Sequence, residues 1–143
     1  MTYSTFEVSL NTIPIDYAPP PFPSLYLPVN SVRYNGALLF YHYDVWRFTV
    51  YWTLIFFAAF HGAAALWACL MHRRPAGFIW ILLVYVCFGG IQAFISGSIV
   101  GLFVSGLYRA GTFGMTTWVP FVWGATQILF QVIGSYSMMS TLL

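Results

Sequence analysis

Polar and apolar positions along this chain alternate on the scale of whole segments rather than single residues. The 25 residues 48–72 carry no charge, the 34 residues 75–108 carry none, and a third uncharged run extends from Ala110 to Leu143. A bilayer hydrocarbon core about 30 Å thick takes about 20 apolar residues as a helix. The first run therefore predicts a span over 48–70. The second would be roughly 50 Å long if continuous at 1.5 Å per residue, enough for one tilted or overhanging helix and too short for two. Its predicted span is 78–103, with Pro75 in the first turn, where the missing N–H costs nothing. The third run opens on the turn-like AGTFGMTTWVP and predicts a span over 119–142. The expected fold is an all-α integral membrane protein, a three-transmembrane-helix bundle occupying 37–143 with tight connections.

Residues 1–36 follow a different pattern. Six of the eight prolines fall here, so NTIPIDYAPPPFPSLYLPVNS should be extended and polyproline-like rather than helical. Phe6, Tyr17, Phe22, Leu25, Tyr26 and Leu27 make it stickier than a disordered tail, so it is expected to lie as a strap over the bundle. PPPFP contains PxxP but no flanking basic residue, a weak match to an SH3-type ligand. The segment lacks the basic start, apolar centre and cleavage site of a signal peptide. The following GALLFYHYDVWRF is rich in Tyr and Trp, the composition of a headgroup-level aromatic belt or a short interfacial helix.

Composition reinforces the membrane reading: 60% of residues are hydrophobic and 6% charged, against about 25% charged in soluble domains. Five arginines face Glu7, Asp16 and Asp44, with no lysine, too sparse a set for a nucleic-acid stripe or a polybasic lipid clamp. Asp44 and Arg47, three apart, can pair on one helical face at the membrane edge, on the same side as Arg109. Cys69 and Cys87 sit in apolar segments, where thiolates are disfavoured, and read as packing residues. His42, His61 and His72 lack metal-ligand spacing, and no carboxylate lies within the spans. No phosphate loop or nucleophile elbow occurs. The chain is expected to be neither an enzyme nor a cofactor binder.

Within the second run, Gly89, Ala93, Gly97, Gly101 and Ser105 form a ribbon of small residues spaced by four. Helix association in lipid depends on close packing, which such a ribbon permits. Its expected partner is the small-residue cluster of the first span, Ala58, Ala59, Gly62, Ala63 and Ala65, while Gly90, Ser98 and Gly106 beside it leave room for a second neighbour. Gly114 is expected in an open outer loop. His61, Gln92, Gln127 and Gln131 would cost free energy facing lipid and should point inward, either as interhelical hydrogen-bond glue or as a polar path.

DVWRFTVYW, then Phe60 and His61, HRR followed by Gly77 and Phe78, SGLYRAG at 105–111, Pro120 with Phe121, and GATQ at 124–127 together resemble the transmembrane protein 170 family. The resemblance covers about Asp44 to Leu143, and Tyr108, Arg109 and Gly111 lie in its most specific string. It implies a small three-span protein of the endoplasmic reticulum membrane and nuclear envelope, linked to sheet-like membrane shape and nuclear pore assembly, with a related branch tied to dampened Wnt signalling. It also implies a lumenal N-terminus and a cytosolic C-terminus; the sequons that animal members carry near the N-terminus are absent. Two functions stay open: a protein that shapes or organises membrane, in part by self-association, or an accessory subunit docking on a larger, lipid-handling membrane complex. The bilayer and other integral membrane proteins, including further copies, are the expected partners, and nucleic acid is not.

Overall fold

The computed structural model describes residues 17–25, 38–71 and 75–140. Three helices dominate: α1 (His42–Met71), α2 (Pro75–Ala110) and α3 (Trp118–Ser140). A two-residue strand precedes α1, β1 (Leu38–Leu39), and another separates α2 from α3, β2 (Met115–Thr116). α1 and α2 are long and apolar enough to cross a membrane; α3, interrupted by Gln127, Gln131 and Ser135, is less apolar and does not reach that mark. The remainder of the N-terminal strap, the HRR turn with Arg73 and Arg74, and the last three residues lie outside the described residues.

α1 and α2 begin and end further out than the predicted spans, because aromatic and hydroxyl residues at headgroup depth continue a helix as readily as aliphatic ones. Leu38–Tyr41 do not form an interfacial helix. Leu38 and Leu39 instead pair antiparallel with Thr116 and Met115, and the helix starts only at His42. Asp44 then sits in the first turn of α1, where a carboxylate meets the positive end of the helix dipole.

The β1–β2 ribbon closes one end of the bundle. Leu39, Val45, Phe48, Val104 and Met115 form a buried cluster there, with Phe22, Val100, Tyr108 and Val119 packed against it. Phe22 brings the strap into this cap, its ring 5.4 Å from those of Phe48 and Tyr51 and 5.2 Å from that of Trp52. Tyr17 donates a 2.7 Å hydrogen bond to the Leu38 carbonyl, and Thr117 donates one of 2.9 Å to the Ser24 carbonyl. Burial raises the Tyr17 phenol above its ordinary 10.0, so this donor stays protonated at neutral pH.

The second buried cluster, Phe57, Ala93 and Ile128, is deeper and takes one residue from each helix. Beyond it the helices carry their apolar side chains outward: Trp67, Leu70, Ile79 and Trp80 are each about two-thirds exposed or more, as expected of surface solvated by lipid.

Candidate functional site

The ribbon packs internally. A Cβ at Gly97 would lie 3.2 Å from the Val50 Cα and 3.1 Å from the Thr53 Cβ, and one at Gly101 would lie 3.3 Å from the Trp46 Cα and the Thr49 Cβ. One at Gly89 would fall 2.7 Å from the His61 ring. Ala93 is fully buried, and Ser105, also buried, is 2.6 Å from the His42 Nδ1. The facing residues of α1 are thus Trp46, Thr49, Val50, Thr53 and His61, not the expected small-residue cluster. Ala58, Ala59 and Ala63 are exposed, Gly62 has open space around it, and only Ala65 is buried. Helical spacing explains the correction: Thr49, Thr53, Phe57, His61 and Ala65 follow at fours, and the alanines fall off that line.

Thr49 and Thr53 suit a close crossing because their hydroxyls are satisfied within α1. Each donates a 2.8 Å bond to the carbonyl four residues earlier, Val45 and Thr49 respectively. His61 Nδ1 similarly lies 3.1 Å from the Phe57 carbonyl, and its ring stacks on Phe57. His61 therefore packs in the glycine gap of α2 and, among the described residues, makes no side-chain hydrogen bond to another helix.

A polar bridge does join all three helices. Gln127 Nε2 donates to Thr53 Oγ1 at 3.0 Å, and Ser96 Oγ donates to Gln127 Oε1 at 2.5 Å. α3 crosses α1 one turn earlier, where a Cβ at Gly124 would meet the Trp52 backbone carbonyl carbon at 3.1 Å. α3 rests mainly on α1; against α2 it has little beyond this bridge. Gln131 is half-buried, and its backbone carbonyl accepts from Ser135. Gln92 lines a shallow groove on α2 and its side chain has no hydrogen-bond partner among the described residues.

Gln127→Leu removes both bridging bonds, yet Thr53 keeps its bond to Thr49 and Ser96 can turn to its own helix backbone. Interhelical hydrogen bonds in membranes average about 0.6 kcal/mol. We expect a loss of about 1 kcal/mol in detergent unfolding; a gain would show that the bridge is kept at a cost.

At the membrane edge, Arg47 Nη2 lies 3.8 Å from the Asp44 carboxylate, and the guanidinium stands over the Tyr43 ring. Arg109 does not join them. It is exposed in the last turn of α2, where a cation meets the negative end of the helix dipole. SGLYRAG terminates that helix. Thr112 N–H donates to the Arg109 carbonyl and Phe113 N–H to the Tyr108 carbonyl, the paired bonds of a Schellman stop. The left-handed residue is Thr112, at φ 57°, and not Gly111, which lies under the Phe113 ring. Gly114 is not open: a Cβ there would meet the Phe40 ring at 2.8 Å.

Cys69 is buried and donates to the Phe78 carbonyl, and Cys87 is exposed. Among the described residues no three His, Cys, Asp or Glu side chains converge on a point that could hold a metal ion. The residues that sequence reasoning missed are the hydroxyls and the glycine completing the crossings, Thr49, Thr53, Ser96 and Gly124. The fourfold line Thr49–Thr53, echoing Gly97–Gly101, was the available signal.

Residues 38–143 match the family described as Transmembrane protein 170A/B-like. The chain is also similar to the Uncharacterized protein YPR153W of Saccharomyces cerevisiae (strain ATCC 204508 / S288c). The two are 46% identical over 136 residues, 95% of this chain and 97% of the yeast one, an alignment too long to be confined to residues 38–143, so it runs into the strap. No solved structure matches.

Proposed function

The chain belongs to the Transmembrane protein 170A/B-like family, and from that premise we propose that it is a non-enzymatic, three-span protein of the endoplasmic reticulum membrane and nuclear envelope that organises membrane shape. The register between helices supports three spans. Gly101 meets Trp46 and Gly89 meets His61, so Trp67 on α1 and Trp80 on α2 stand at one level, about 30 Å from that of Trp46 and Arg47 at 1.5 Å per residue. That is one hydrocarbon thickness, with aromatic belts at both edges. Ile128 packs on Phe57 and Gln127 reaches Thr53, which brings Trp118 level with Arg47 and the end of α3 level with Trp67. α3 thus has the length and register expected of a span despite its two glutamines, both of which the bundle partly covers.

The observation that carries the functional reading is the cap. Strap residues 17–25, the β1–β2 ribbon and three helix ends crowd one interface, while among the described residues only the end of α1, the start of α2 and the end of α3 reach the opposite leaflet. A body wider in one leaflet acts as a wedge. Following the family, the cap faces the lumen.

Reconstitution of the purified full-length chain into phosphatidylcholine vesicles tests this. Vesicle shape seen by cryo-microscopy is expected to change in proportion to protein load. Unchanged vesicles, together with a stoichiometric larger membrane protein in gentle-detergent purifications, would sink the wedge and establish the accessory-subunit role.

A further inference from the structure

The α2 face turned away from α1 carries a second regular pattern. Phe88, Gln92, Ile95, Ile99 and Leu102 follow at intervals of four, three, four and three, the spacing of a coiled-coil seam. Phe88, Ile95, Ile99 and Leu102 are 50% to 72% exposed. Four of the five, Leu102 excepted, line a groove of about 510 Å³ along the helix. Gly106 continues the seam with open space around it. We propose that this face is the contact between two copies of the chain, packed side by side through α2.

Gln92 decides the occupant. It lies midway between the levels of Trp80 and Arg47, and so at the bilayer midplane, where an amide facing lipid costs free energy. α1 cannot satisfy it, because Ala93, Gly97 and Gly101 occupy the α1-facing side. Ser96, on the flank toward α3, is engaged by Gln127. Gln131 is level with Gln92 but makes no hydrogen bond to it. An acyl chain fills the groove without offering a donor or acceptor. A second copy inserted with the same topology carries its own Gln92 at the same depth by necessity, and two facing carboxamides each donate and accept. A single polar residue in an otherwise apolar seam is also the arrangement that fixes register in coiled coils. The inference rests on the membrane placement above and not on the wedge, so vesicle shape and self-association can fail separately.

Cysteine cross-linking in native membranes tests it, using the full chain in a Cys69→Ala, Cys87→Ala background. Oxidation should yield a disulfide dimer from Phe88→Cys, Ile95→Cys, Ile99→Cys or Leu102→Cys, but not from Phe94→Cys or Leu107→Cys, which are exposed on other faces. Adding Gln92→Leu should lower dimer yield about threefold to tenfold, the worth of one or two intramembrane hydrogen bonds, while Gln131→Leu should leave it unchanged. A yield without seam periodicity, cross-links solely to a different protein, or equal loss with Gln131→Leu would each overturn the proposal. The last outcome would make Gln131 the partner of Gln92 within one chain.

Discussion

Gly97→Leu should unfold the α1–α2 hairpin more readily than the same change at a glycine with open space around it. The Cβ alone would stand 3.2 Å from the Val50 Cα and 3.1 Å from the Thr53 Cβ, and backbone cannot rotate aside as a side chain can. Leucine adds three further carbons to a site already at contact distance. Overpacking costs up to about 3 kcal/mol, and leucine returns about 1 kcal/mol by being the better helix former. The net expectation is a loss of about 2 kcal/mol. The same replacement at Gly62 or Gly134, where nothing lies within 4 Å, keeps the propensity gain alone and should be neutral or stabilising. Gly114 does not serve as a control, because the Phe40 ring covers it. Unfolding in mixed micelles with rising dodecyl sulfate, followed by circular dichroism, measures all three variants. If Gly97→Leu unfolds at the same point as Gly62→Leu, then α1 does not cross α2 at this glycine.

The ribbon that this experiment probes was legible because small residues in a greasy helix have few other uses, and the fourfold period fixed their common face. Its partner was not legible by the same logic. Small was matched with small, whereas the crossing pairs glycine with threonine, valine and tryptophan backbone. A β-branched side chain whose hydroxyl returns to its own helix keeps a low profile, and size alone does not reveal it. The helices themselves followed from runs without charge. The cap did not. A two-residue ribbon between Leu38–Leu39 and Met115–Thr116 leaves almost no period-two signal, and its partners are separated by the whole α1–α2 hairpin. The left-handed residue that stops α2 is Thr112, a threonine that no local pattern marks for that conformation. The strap was readable as sticky and extended, but nothing in its sequence singles out Tyr17 and Phe22, the described aromatic residues that meet the cap.

Truncating Phe48 should cost more than truncating Phe57, although both rings are buried, at 0% and 2% exposed. The argument turns on what surrounds each cluster. Phe57 packs with Ala93 and Ile128 in the span, where lipid tails are as apolar as leucine and no hydrophobic term drives helices together. Phe57→Ala therefore loses chiefly contact energy, and chain ends of lipid can move toward the gap. Phe48 lies beside Arg47 at the membrane edge, enclosed by Leu39, Val45, Val104 and Met115 beneath the strap ring of Phe22. Water is available at that depth and acyl chains are not, so both the transfer and the cavity terms apply, about 3 to 5 kcal/mol for Phe→Ala. Phe22→Ala should cost less, since Phe22 is only partly buried, and the double variant should fall short of the sum by the aromatic coupling, about 0.5 to 1.5 kcal/mol. Proteolysis in intact membranes adds a second readout: Phe48→Ala and Phe22→Ala should expose strap residues 17–25 to cleavage, and Phe57→Ala should not. Equal destabilisation by Phe48→Ala and Phe57→Ala, with the strap protected in both, would mean that the cap is immersed in lipid like the rest of the bundle, and the wedge at one interface would lose its basis.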